Sequence, residues 1–160
     1  MVSYQSENTP FPKIKRRQTT SWLRQVAATY GMTIGDVAYI FCDDTKILEV
    51  NRQYLNHDYY TDVITFDYTE GATINGDIFI SLDTVRSNSE RLNTPYNEEL
   101  HRVMAHGILH LCGINDKGPG EREIMENAEN KALSSSGSRL RRPSAFLRSW
   151  RYRLSAASVV

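Results

Sequence analysis

One predicted helix constrains this chain more than any other stretch. From Glu98 to Leu111, the apolar residues Leu100, Val103, Met104, Ile108 and Leu111 recur at three- and four-residue spacing. That is the period of an amphipathic helix. Asn97 is the expected N-cap, and Gly113 the expected stop just past the last turn. His106 and His110 lie four residues apart, which stacks them on one face. Two neutral imidazoles so placed can share a metal ion. Beyond the Gly113 turn, Asp116 is near enough in sequence to fold back as a third, oxygen ligand. The pattern H-x3-H-x5-D leaves a coordination position for water. It suits a catalytic zinc, one per chain, rather than a structural one. The competing reading gives both histidines ordinary hydrogen bonds and makes Asp116 a turn cap.

A zinc protease helix reads H-E-x-x-H, with the Glu as general base. Gly107 occupies that place here, so a peptidase is disfavoured and the proton-handling side chain is not visible. Arg102 precedes His106 by one turn and shares its face. It is a candidate phosphate contact, with a surface salt bridge as the alternative. His101 falls nearly opposite His110 on the helical wheel and is left out of the ligand set. His57 reads as an exposed loop histidine. Tyr59 and Tyr60, just before a strand, can either pack in the core or stack on bases.

The remaining pattern predicts an α+β fold. It is a single domain with a mixed, mostly antiparallel sheet of about four strands packed with helices, and the metal site lies on the histidine helix. A polar arm, Met1 to Pro12, can begin with an edge strand. A helix is expected over Lys13 to Tyr30, with Ile14, Trp22, Leu23 and Val26 as its stripe, then a strand from Val37 to Cys42. Asp44 or Thr45 caps the next helix, Lys46 to Leu55. Asp62 to Tyr68 alternates as a strand. Asn75-Gly76 is a turn signal, and Gly76 to Leu82 follows as the second arm of an antiparallel hairpin. Asp83 caps a helix reaching about Leu92. Glu121 to Leu133 forms the last helix, with Ile124, Met125, Ala128 and Leu133 inward.

At 160 residues the chain suits one domain with its own core. Its net charge of zero hides an asymmetry. The segment 134–160 holds six arginines and no acid, leaving thirteen basic residues against nineteen acids in 1–133. An acidic body binds nucleic acid through a local basic groove, not its overall field. The expected division is therefore a domain over 1–133 and a basic, Arg- and aromatic-rich, disordered tail over 134–160. That tail can alternatively touch RNA or lie on a membrane surface. Cys42 and Cys112 are the only cysteines, no apolar run reaches membrane-span length, and the N-terminus lacks signal-peptide character. These features predict a cytoplasmic protein without a membrane partner; the sequence does not give its oligomeric state.

The run H-G-I-L-H-L-C-G-x-x-D resembles the signature of the YbeY family of ribosomal-RNA maturation endoribonucleases. That family usually reads H-G-x-L-H-L-x-G-Y-D-H, with three histidines on zinc. His106 and His110 match the first two, Asp116 stands at the third, and Ile114-Asn115 replaces Tyr-Asp. Two further motifs occur in the family's order. Tyr60 to Phe66, Y-T-D-V-I-T-F, is similar to P-T-D-V-L-S-F, and Gly76 to Ser81, G-D-I-F-I-S, is similar to G-D-I-x-I-S. The resemblance covers roughly Ile34 to Leu133 and departs at Leu55, where the family often carries an Arg after the Tyr. It implies a zinc-dependent, single-strand-specific endoribonuclease of ribosomal RNA processing and ribosome quality control. The implied partners are single-stranded ribosomal RNA, the ribosome or small-subunit assembly factors. Two other readings stay open: a metal-stabilised ribosome-associated binding module with little catalysis, and a metal-dependent hydrolase of another substrate. The nucleophile, water or the RNA 2′-hydroxyl, is not legible.

Overall fold

The computed structural model describes residues 1–58 and 60–136. In chain order these form β1 (Val2–Ser6), α1 (Arg16–Thr29), β2 (Thr33–Cys42), α2 (Asp44–Leu55), β3 (Val63–Asp67), β4 (Thr73–Ser81), α3 (Leu82–Leu92), α4 (Tyr96–Leu111) and α5 (Glu121–Ser134). The strands make one sheet in the order β1-β2-β4-β3. The α+β class, the four-stranded mixed sheet and the β3–β4 hairpin are as expected. The balance of directions is not. β1–β2 and β2–β4 are parallel and only β3–β4 is antiparallel. Helix α1 returns the chain between β1 and β2, whereas between β2 and β4 the antiparallel strand β3, which follows α2, makes the return. Hydrophobic period reveals strands but not their neighbours.

The two sheet faces bury different cores. Successive strand residues point to opposite sides, so Val37, Tyr39, Phe41, Ile78 and Ile80 join Trp22, Leu23, Val85, Leu100, Ile108 and Met125 in the larger core under α1, α3, α4 and α5. Cys42, Ile64 and Phe66 pack with Ile47 and Val50 of α2 on the other side. β3 is consequently buried on both faces.

Asn75 and Gly76 lie inside β4, not at a turn. The hairpin turns over residues 68–72, with Gly71 at φ +57. A Cβ on Gly76 would sit 2.5 Å from the Phe66 carbonyl oxygen and 3.0 Å from Leu111 Cδ2, so glycine lets β3 and α4 approach. Asn75 Oδ1 accepts from the Asp36 backbone N–H at 2.8 Å, beside the irregularity of β2 between Ile34 and Val37. Local turn propensity is overridden at both positions by tertiary contacts.

Caps shift by one or two residues. Asp43, not Asp44 or Thr45, accepts from Lys46 N–H at 2.8 Å. Ser81, not Asp83, caps α3; the Asp83 carboxylate accepts from Asp44 N–H instead. Pro95 occupies the N-cap position of α4, placing Asn97 in the first turn. On α5, Ile124 is 59% exposed, while Glu129 and Ala132 share the buried side with Met125, Ala128 and Leu133. Helix α5 ends at Ser134, one residue past the boundary expected at 133. From residue 137 onward, the expected tail lies outside the described residues. No helix among the described residues is long and apolar enough to cross a membrane.

Candidate metal centre

Helix α4 is held at the level of its histidines from three directions. Tyr39 of β2 donates its hydroxyl to the Met104 carbonyl at 2.8 Å, inside the core. Gly107 lies against β4: a Cβ there would meet Ile78 side-chain atoms at 2.9 Å. At the C-terminus, Gly113 adopts φ +90. Gly113 N–H donates to the His110 carbonyl at 2.9 Å and Ile114 N–H to the Leu109 carbonyl at 3.0 Å. These two bonds form a Schellman stop, which turns the chain back and brings Asp116 beside the histidines.

The three predicted ligands meet. Asp116 Oδ2 lies 3.5 Å from His106 Nε2 and 3.6 Å from His110 Nε2. All three side chains are buried. The imidazole rings stand at 84° with centroids 4.5 Å apart, so the two Nε2 atoms converge without stacking. Zinc bonds of about 2.0–2.1 Å in a tetrahedron separate ligand atoms by about 3.3 Å, close to the spacing found. Among the described residues, the ring nitrogens of His106 and His110 are buried without a hydrogen-bond partner. Such an orphan costs about 1–3 kcal/mol, and an ion between the Nε2 atoms would remove two of them. The donor set and its spacing thus fit a metal ion.

Other candidates fall elsewhere. Arg102, expected as a phosphate contact or a surface salt bridge, is only 4% exposed. Its Nη1 donates to Asn130 Oδ1 at 2.8 Å and lies 3.9 Å from Glu129 Oε2. The guanidinium therefore turns to α5, because α5 packs over this part of α4. His101 stands apart from the ligand group, with Nδ1 2.6 Å from the Asn97 carbonyl oxygen and its ring against Trp22. Leu55 packs on the smaller core with Phe66 and Ile47. His57 is half-buried, Tyr60 is exposed and Tyr59 lies outside the described residues. Burial pushes the Cys112 thiol up to about 11, so a thiolate is not on offer near neutral pH. Gly107 explains the missing protease glutamate: a side chain there points into Ile78.

Sequence reasoning missed Glu129, buried on α5 with Oε1 3.5 Å from His106 Nδ1. The available signal was a carboxylate interrupting the apolar stripe of Met125, Ala128, Ala132 and Leu133.

Two imidazoles on a buried helix and one carboxylate from the turn after it define a candidate mononuclear metal site of the kind hydrolases use. Comparison with known proteins narrows the class. The Endoribonuclease YbeY family profile matches residues 2–137. A Phocaeicola vulgatus protein named endoribonuclease YbeY is 70% identical over 134 residues, spanning 84% of this chain and 97% of that one. A Bacteroides fragilis protein of the same name is 70% identical, covering 83% and 96%. One from Porphyromonas gingivalis is 50% identical, covering 82% and 87%. The solution structure of a Thermotoga maritima protein shares the fold with TM-score 0.62 and 26% identity, over 85% of this chain and 89% of that one. The chain belongs to the YbeY endoribonuclease family.

Proposed function

We propose that this chain is a zinc-dependent endoribonuclease that cuts single-stranded RNA in ribosomal RNA maturation and ribosome quality control. Its partners are ribosomal RNA and the ribosome or its small-subunit assembly factors, and its compartment is the cytoplasm. The observation that carries the reading is the buried convergence of His106, His110 and Asp116 in a chain of this family. Neutral imidazoles with one carboxylate and an open position favour zinc over magnesium or calcium, which prefer all-oxygen shells. When bound, the ion supplies Lewis acidity toward water and a phosphoryl oxygen. His106 and His110 direct their Nε2 lone pairs to one point, and Asp116 adds one negative charge. The loaded site thus carries about +1, an attraction for a phosphodiester. Burial of the three ligands excludes competing water from their lone pairs.

The test measures metal content together with cleavage of single-stranded and duplex RNA by replete and chelated protein. The expected outcome is about one zinc per chain and cleavage of single strands that chelation abolishes and zinc restores. Zinc uptake without cleavage would favour the ribosome-associated binding module. Cleavage indifferent to chelation would sink the metal-dependent reading.

A further inference from the structure

We propose that Glu129 is a positioning residue, holding His106 from behind so that its Nε2 lone pair faces the ion; this rests on the metal-centre reading above. Glu129 is 3% exposed, on the side of α5 that packs against α4. A carboxylate buried among Met125, Ala128, Ala132 and Leu133 is costly unless its charge is met. It is met from α4 twice. Oε1 lies 3.5 Å from His106 Nδ1, and Oε2 lies 3.9 Å from Arg102 Nη1. Arg102 precedes His106 by one turn, so both side chains leave the same helix face and reach the same carboxylate. Asn130 Oδ1 accepts from the same Arg102 nitrogen at 2.8 Å.

The His106 ring therefore stands between two carboxylates, Asp116 at Nε2 and Glu129 at Nδ1. A negative oxygen at 3.5 Å from Nδ1 favours the tautomer with its proton on that nitrogen, and a shift of about 0.5 Å makes the contact a hydrogen bond. With the proton on Nδ1, Nε2 is left as the metal donor. A carboxylate behind a ligating histidine fixes ring orientation and raises ligand basicity. Arg102 keeps Glu129 turned toward α4. Asp116 faces Nε2 of both histidines, and Glu129 faces Nδ1 of His106.

The competing role is a simple clamp, an ion pair that fastens α4 to α5 without touching the metal. The experiment compares wild type, Glu129→Gln and Glu129→Ala, each checked for folding by thermal melting. Zinc dissociation constants are measured by chelator competition at one fixed pH. The His106 tautomer is read from imidazole 15N shifts in metal-free protein, above the histidine titration range. Glu129→Ala is expected to weaken zinc binding about 10–100-fold and to lose the Nδ1–H preference. Glu129→Gln retains an acceptor oxygen without the charge, and is expected to fall between wild type and Ala. If Glu129→Ala fails to fold, Glu129→Gln decides by the same two readouts. Lower melting temperatures with zinc affinity and tautomer unchanged would establish the clamp and overturn the proposal. No uptake of zinc by wild type would instead overturn the metal-centre reading, and this proposal with it.

Discussion

Helices α4 and α2 cover opposite faces of the same sheet, yet they are built on different terms. α4 is buried along most of its length, including Glu98, Glu99, Arg102, His106 and His110. α2 buries Ile47, Val50 and Asn51 and leaves Tyr54 57% exposed, with its ring edge-on to Phe66. A helix walled in by α1, α3, α5 and the sheet cannot shift without disturbing several neighbours. That rigidity is what a ligand set needs, because a metal site loses affinity when its donors wander by fractions of an ångström. The cost is that polar groups on α4 must find partners inside the protein. Arg102, Asn130, Glu129 and Asp116 are placed to meet that demand. On α2, half in water, Asn51 is the one buried polar residue under that demand.

The contrast can be broken most severely at the candidate ligands. His106→Ala, His110→Ala and Asp116→Asn should each lower zinc affinity, the histidine changes reducing bound zinc from about one per chain to near none. Elemental analysis after gel filtration reads this directly. A Glu49→Ala change on α2 should leave the zinc content alone. Undiminished zinc in Asp116→Asn would make Asp116 only a turn cap.

The packing difference gives the next largest effect. Leu109→Ala removes a fully buried side chain of α4 and should cost about 2–5 kcal/mol of unfolding free energy. Leu48→Ala, at a half-buried position of α2, should cost about 1 kcal/mol or less. Urea titrations of the pair measure the gap; equal costs would mean that α2 is anchored as firmly as α4.

The smallest expected effect sharpens the account of how α4 is held. Tyr39→Phe keeps the buried ring but deletes the hydroxyl donated to the Met104 carbonyl. That carbonyl belongs to a helix and keeps its helical partner, so the loss should be about 0.5–1.5 kcal/mol. Denaturant midpoints check the stability, and zinc competition checks whether the histidines move. A stability loss with unchanged zinc affinity would show that the other two restraints, Gly107 on Ile78 and the Schellman stop, suffice to hold the site.

The sequence by itself determined the histidine helix, its stop and the arrival of Asp116. Those features depend on contacts within a few residues: the helical period sets His106 over His110, and Gly113 supplies the left-handed turn that follows. It likewise located a strand in each of the four regions, since apolar patterning is a local property, but not their bounds: β2 begins at Thr33 and β4 at Thr73, ahead of the expected Val37 and Gly76. Only the tertiary structure decided that β1, β2 and β4 run parallel, that Asn75 serves β2 and Gly76 admits Phe66 and Leu111, and that Arg102 faces α5. It also decided that Glu129 stands behind His106. These outcomes share one physical reason. Each is set by which distant surface is packed against the residue, and the burial of that surface outweighs the residue's own local preference.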